Sequence, residues 1–120
     1  MANPNIVNVA NIYGKTAGLV ITTTNSAIVS NTTGSGKILK INSLIVANVN
    51  GTASADVTVD VFKAQTTSYR VAYTIAVPAD ATLVVLSKDS SIYLEENDSL
   101  RIQASANSYL EAVCSYEEIS

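Results

Sequence analysis

The sequence predicts an all-β fold, an antiparallel β-sandwich of jelly-roll type with about eight strands. Three observations carry this prediction. Apolar and polar residues alternate with period two in almost every segment, clusters of Asn, Asp, Gly and Ser interrupt them at short intervals, and no stretch repeats with a helical period. Many short strands with brief links fit two stacked antiparallel sheets.

The elements follow in chain order. Residues 1–14 stand apart from the sandwich domain at 15–120: NPNIVNVANIYG is rich in Asn, carries Pro4, and offers Ile6, Val7, Val9, Ile12 and Tyr13 with almost no charge. This segment reads as an arm reaching a neighbouring subunit, ahead of the alternative of a first strand, because an apolar terminus tends to be tied down somewhere. Short strands are expected around Leu19 to Ile21 and Ala27 to Val29.

SNTTGSGKILKI then holds a Gly-Ser-Gly-Lys that looks like part of a phosphate-binding loop. It lacks the first glycine, where Asn31 stands, and the Ser or Thr after Lys37, where Ile38 stands, and a β-branched run follows in place of a helix. The stretch reads as a turn.

A strand through 37–49 has Leu39, Ile41, Ile45, Ala47 and Val49 on one face, and Asn50-Gly51 is expected to reverse it tightly. Leu44 and Val46 lie on the face opposite Ile41 and Ile45, so a partner or the arm is expected to cover that side too. The next strand sets Val57, Val59 and Val61 against Asp56, Thr58 and Asp60, which reads as core against solvent. After the polar link AQTTS, Val71, Tyr73, Ile75 and Val77 alternate up to Pro78, which ends the strand by removing a ladder donor. Strands through Leu83 to Leu86 and Ile92 to Leu94 follow. The acidic turn Glu95-Glu96-Asn97-Asp98 opens Leu100, Ile102, Ala104 and Ala106, and a last strand runs from Tyr109 to Ile119.

Composition narrows the chemistry. Only 14% of residues are charged, against about 25% in an average soluble domain. Ser, Thr, Asn and Ala must cover the surface, and such a surface repels neighbours weakly. The net charge of −3 spreads without a basic patch, which argues against nucleic-acid binding. There is no histidine, so histidine-based catalysis is excluded and no enzyme is expected. Glu95, Glu96 and Asp98 lack the spacing of a calcium loop and read as a solvated turn; no metal or cofactor is expected. The single cysteine, Cys114, falls on the apolar side of an alternating strand and reads as a small buried hydrophobe. Tyr69 and Tyr109, near loop ends, would be the platforms of a sugar-binding surface, against the commoner reading of core or interface packing. No apolar run approaches the ~18 residues of a membrane span, and the N-terminus lacks a signal-peptide profile, so synthesis in a cytoplasm and no membrane partner are expected.

The C-terminal run SSIYLEENDSLRIQASANSYLEAVCSYEEIS, with INSLIVANVNGTASADVTVDVF and TIAVPADATLVVLSKD upstream, resembles small virion structural proteins of tailed bacteriophages, particularly those of marine cyanobacteria. Those chains carry a YLEEGDSL turn, an ASA strand and an SYEEI-like tail; Asn97 stands here where glycine is usual, a substitution that a left-handed position tolerates. The resemblance covers about Lys37 to Ser120. It implies a noncatalytic sandwich displayed on a phage particle; the expected role is a decoration or cement protein on the outer capsid surface, made in the host cytoplasm, a homo-oligomer such as a trimer, with the major capsid protein or other virion proteins as partners. The alternative is a tail- or fibre-associated module binding host glycans. The expected contacts are Pro4, Ile6, Val7, Val9, Ile12, Tyr13, Leu44 and Val46. Deleting residues 2–13 is expected to weaken assembly while the sandwich stays folded; undiminished binding to the particle would remove the arm from the contact.

Overall fold

In a computed structural model that describes residues 4–120, nine strands form two antiparallel sheets. The strands are β1 (Ile12–Val20), β2 (Ser26–Ser30), β3 (Ile38–Asn48), β4 (Ala55–Lys63), β5 (Thr67–Val77), β6 (Thr82–Leu86), β7 (Ile92–Leu94), β8 (Ser99–Ala104) and β9 (Leu110–Ile119). The first sheet runs β1-β9-β3-β6, with β7 also on β3; the second runs β2-β8-β4-β5. The chain therefore changes sheet at every link except β4 to β5 and β6 to β7. The sequence-predicted sandwich is the observed architecture.

The core lies between the inner faces. Leu44, Val46, Leu110 and Cys114 from the first sheet meet Val57, Val59, Leu100 and Ile102 from the second, all fully buried. In β4 the valines point inward as their alternation requires.

The central strand β3 departs from simple alternation. Against β9, Ile41 pairs with Tyr116 and Ser43 with Ser115, so Asn42 is one residue too many on β3. Such a bulge shifts the phase of every residue beyond it. Leu39 and Ile41 face the core as predicted, but after the bulge Leu44 and Val46 turn inward and Ile45 and Val49 are exposed. The expectation that Leu44 and Val46 face outward toward a partner is thus corrected: both are completely buried.

The link after β3 is also different from expectation. β3 and β4 belong to different sheets, so Asn50-Gly51 closes no hairpin. The Asn50 carboxamide oxygen instead accepts from the backbone N–H of Thr52 (2.8 Å) and of Ala53 (2.9 Å), an Asx-type turn that steers the crossing. Buried Asn48 secures the same crossing, donating to the carbonyls of Ala53 (3.0 Å) and Val77 (2.9 Å).

A true tight hairpin joins β4 to β5 at Ala64-Gln65. Both residues have positive φ, 52° and 59°, and Thr66 N–H donates to the Lys63 carbonyl at 2.9 Å. This is a mirror-image turn whose usual occupants are Asn and Gly, and the left-handed region costs an ordinary side chain roughly 1–2 kcal/mol. Replacing Ala64-Gln65 by Asn-Gly is therefore expected to stabilise the protein by about 1 kcal/mol and raise Tm by about 4 °C. An unchanged Tm would mean that the surrounding contacts already absorb the strain.

Candidate assembly surface

Residues 4–11 precede β1 and touch the sandwich mainly at one end. The N–H groups of Ala10 and Asn11 both donate to the Ser120 carbonyl (2.8 and 3.0 Å), and Ser120 N–H donates back to the Asn11 carbonyl at 3.0 Å. Upstream, Asn5 folds the segment into a turn: its side-chain oxygen accepts from Val7 N–H (3.0 Å) and its carbonyl from Asn8 N–H (3.1 Å). The turn holds Ile6 and Val7 out to solvent, 52% and 91% exposed, while Pro4 and Val9 are half-buried. Ile12 and Tyr13, expected in the arm, are exposed residues of β1.

The outer face of the first sheet is the second feature. Register aligns Val84, Ile45, Val113 and Gly18 in one row across β6, β3, β9 and β1. The next row holds Thr82, Ala47, Glu111 and Val20, and on the other side lie Ser43, Ser115 and Thr16. Val84, Val113 and Val20 are each about half exposed. Where Gly18 supplies no side chain, a shallow hollow of about 270 Å³ opens between Val20, Glu111 and Val113. Sequence reasoning anticipated an apolar outer side on β3 but assigned it to the wrong residues; the bulge makes Ile45 the exposed one.

The acidic residues are bound up in structure. Asp98 is buried and accepts from the N–H groups of Glu95 and Ala64 (both 2.9 Å) and from Lys63 Nζ at 2.6 Å. Its hydrogen bond, reinforced by its charge and that of Glu95, raises the Lys63 pKa against the opposing effect of burial. Glu96 accepts from Gly34 N–H (2.8 Å) and Gly36 N–H (3.1 Å). The Gly-Ser-Gly-Lys loop thus does cradle an anion, but the anion is a carboxylate of its own chain. Buried Asn31 completes the loop, donating to the Lys37 and Leu94 carbonyls at 2.9 Å each. The acidic turn is therefore a loop clamp, contrary to the solvated turn expected.

Asp60 corrects a second expectation of surface charge: it is buried on the outer side of β4 beneath Arg101, whose guanidinium donates to it at 3.0 Å and lies 3.9 Å above the Phe62 ring. The alternation placed Asp60 on the correct face; the cross-strand arginine opposite it was the unused signal.

Tyr69 is exposed on β5, as is Tyr73, over which Arg70 lies at 5.1 Å, whereas Tyr109 packs partly against the core. Cys114 is buried, and burial pushes its pKa up to about 11. Among the described residues no cluster of His, Cys, Asp or Glu is arranged to hold a metal ion, and no helix is long and apolar enough to cross a membrane.

The fold and its surfaces define the class: an antiparallel β-sandwich with an apolar row on the outer face of one sheet. A solved chain from Bacillus endospore appendages, described as a novel family of disulfide-linked pili, is similar to it with a TM-score of 0.55, covering 92% of this chain and 87% of its own at 17% identity. At that identity the likeness extends to the fold alone. No protein-family model and no curated relative matches.

One charge cluster gives a pH test. Glu118 pairs with Lys37 (3.2 Å) and Lys15 (3.3 Å) near the end of β9. Burial alone would raise its pKa, but the hydrogen bonds and charges of the two lysines together hold it below the ordinary 4.5. The stabilisation is therefore complete above 4.5 and is lost as pH falls through the lower folded-state value. The stability gap between wild type and Glu118→Gln, read from urea midpoints, is expected to close below pH 4.5; a gap independent of pH would show that the charge contributes nothing.

Proposed function

We propose that this chain is a noncatalytic structural subunit of a multi-copy assembly, and specifically a decoration protein bound to the outer head of a tailed phage, where it bridges neighbouring capsid subunits. The observation that carries the reading is the outer face of the first sheet, a row of Val84, Ile45 and Val113 continued by Val20, with the Ile6–Val7 tip as a second apolar element. Apolar surface of this kind gains about 25 cal/mol per Å² when a partner covers it, and symmetry repeats the gain over many copies. The resemblance of residues 37–120 to virion proteins supports a place on a phage particle. The passage of the chain from sheet to sheet at most links supports a jelly roll.

A host-glycan module is the second reading, favoured by the exposed Tyr69 and Tyr73 beside Arg70 on β5. The two separate in one experiment. Purified protein added to DNA-filled heads lacking it is expected to bind with saturable stoichiometry and to raise the temperature at which they release DNA. Removal of residues 2–9, which spares the pairing of Ala10 and Asn11 with Ser120, is expected to weaken binding at least about tenfold, a loss of about 1.4 kcal/mol. Binding to host cells that is lost on Tyr69→Ala and Tyr73→Ala, with none to heads, would overturn the capsid reading.

A further inference from the structure

We infer that the hollow over Gly18 receives the Ile6–Val7 tip of a second copy of this chain, so that subunits join tip to face. The inference rests on reading the chain as an assembling subunit and names the receiving site.

Gly18 sits in the middle of β1, yet its own fold does not require a glycine. Its φ is not in the left-handed region, and a Cβ there would meet nothing closer than the Ala112 carbonyl oxygen at 3.9 Å, an ordinary contact. Glycine inside a strand weakens it by roughly 0.5–1 kcal/mol relative to alanine, and one reason to keep it is the close approach of another backbone. The hollow that results is about 270 Å³, open, and walled by Val20 and Val113, with Glu111 between them at its edge. That is smaller than the roughly 300–1,000 Å³ of small-molecule pockets and suits an aliphatic pair on a turn. Ile6 and Val7 are such a pair, exposed and already shaped by the Asn5 turn, so little ordering is left to oppose docking.

The occupant cannot be the subunit's own tip. The segment is fastened to Ser120 at Ala10 and Asn11, and even fully extended the four residues from Ala10 back to Ile6 span about 14 Å. The register from Asn11 to Gly18 covers seven residues of strand, about 23 Å, and the turn at Asn5 shortens the reach further. Tip and hollow are different surfaces, so the rotation between copies decides whether two chains exchange tips about a twofold axis or many join head to tail into a ring or filament.

The test mixes two differently tagged full-length chains, Val7→Cys and Gly18→Cys, under mild oxidation; Cys114 is buried and stays out of the reaction. A 7-to-18 disulfide between the two tags is expected at least about tenfold above a Val7→Cys and Val84→Cys control, because docking raises the effective concentration of the pair. Gly18→Ala is expected to fold at least as stably as wild type and Gly18→Lys to associate at least about tenfold more weakly with unchanged circular dichroism. Equal disulfide yields in the two mixtures, or full association of Gly18→Lys, would overturn the inference. If removing residues 2–9 weakens assembly while the 7-to-18 disulfide fails to form, the tip docks elsewhere and only the site falls. If neither heads nor second copies bind the wild-type chain, the structural-subunit reading falls with it.

Discussion

Asn42 adds a residue to β3 that β9 does not match, and the rest of the structure is arranged around that insertion. Before it, Leu39 and Ile41 point into the sandwich; after it, Leu44 and Val46 do. Without the extra residue one half of the strand would send its apolar side chains to the wrong side, since a shift of one position exchanges the faces of a sheet. The bulge therefore lets an 11-residue strand serve the core along its length. It also moves Ile45 outward, into register with Val84 and Val113. The same local irregularity fills the core and produces the exposed apolar row.

The ends of the sandwich are held by a few buried polar side chains. Asn31, Asn48 and Asp98 each bind backbone groups from separate segments, and each is nearly inaccessible to solvent. Buried amides and carboxylates are costly unless satisfied, and these satisfy loop groups that strand pairing leaves unmatched. Asp98 has a double task, since it fixes its own turn through Glu95 N–H and supports the strained β4–β5 turn through Ala64 N–H. Glu96 does the equivalent for the glycine loop. A chain poor in charge thus spends several carboxylates on loop geometry, while on the outer face of the first sheet Glu111 lies beside the apolar row of Val84, Ile45 and Val113.

Much of the fold was legible because period-two alternation has a direct cause, the opposite directions of successive side chains in a strand. The strand expected at 37–49 spans Ile38–Asn48, and the last strand, expected from Tyr109, begins at Leu110. What alternation cannot reveal is a change of phase, and Asn42 carries no mark that distinguishes a bulge from an ordinary strand residue. The same holds for Ala64-Gln65, a left-handed turn without the residues that usually announce one, and for Asn50-Gly51, whose hairpin signature serves a crossing between sheets. Asp60 and Asp98 read as solvated because their partners, Arg101 and Ala64, are distant in sequence. For the surface, the arm residues Ile6 and Val7 were visible as apolar residues without a pattern, while the hollow needed the register of β1 on β9.

Cys114 has a further consequence. With its pKa near 11, only about one thiol in ten thousand is ionised at neutral pH, and the thiolate is the form that attacks disulfides or meets oxidants. The chain's sole sulfhydryl is thus kinetically silent while the sandwich stays closed. A buried, protonated thiol forms no disulfide with a second chain, so the closed sandwich presents the same surface in reducing and in oxidising surroundings.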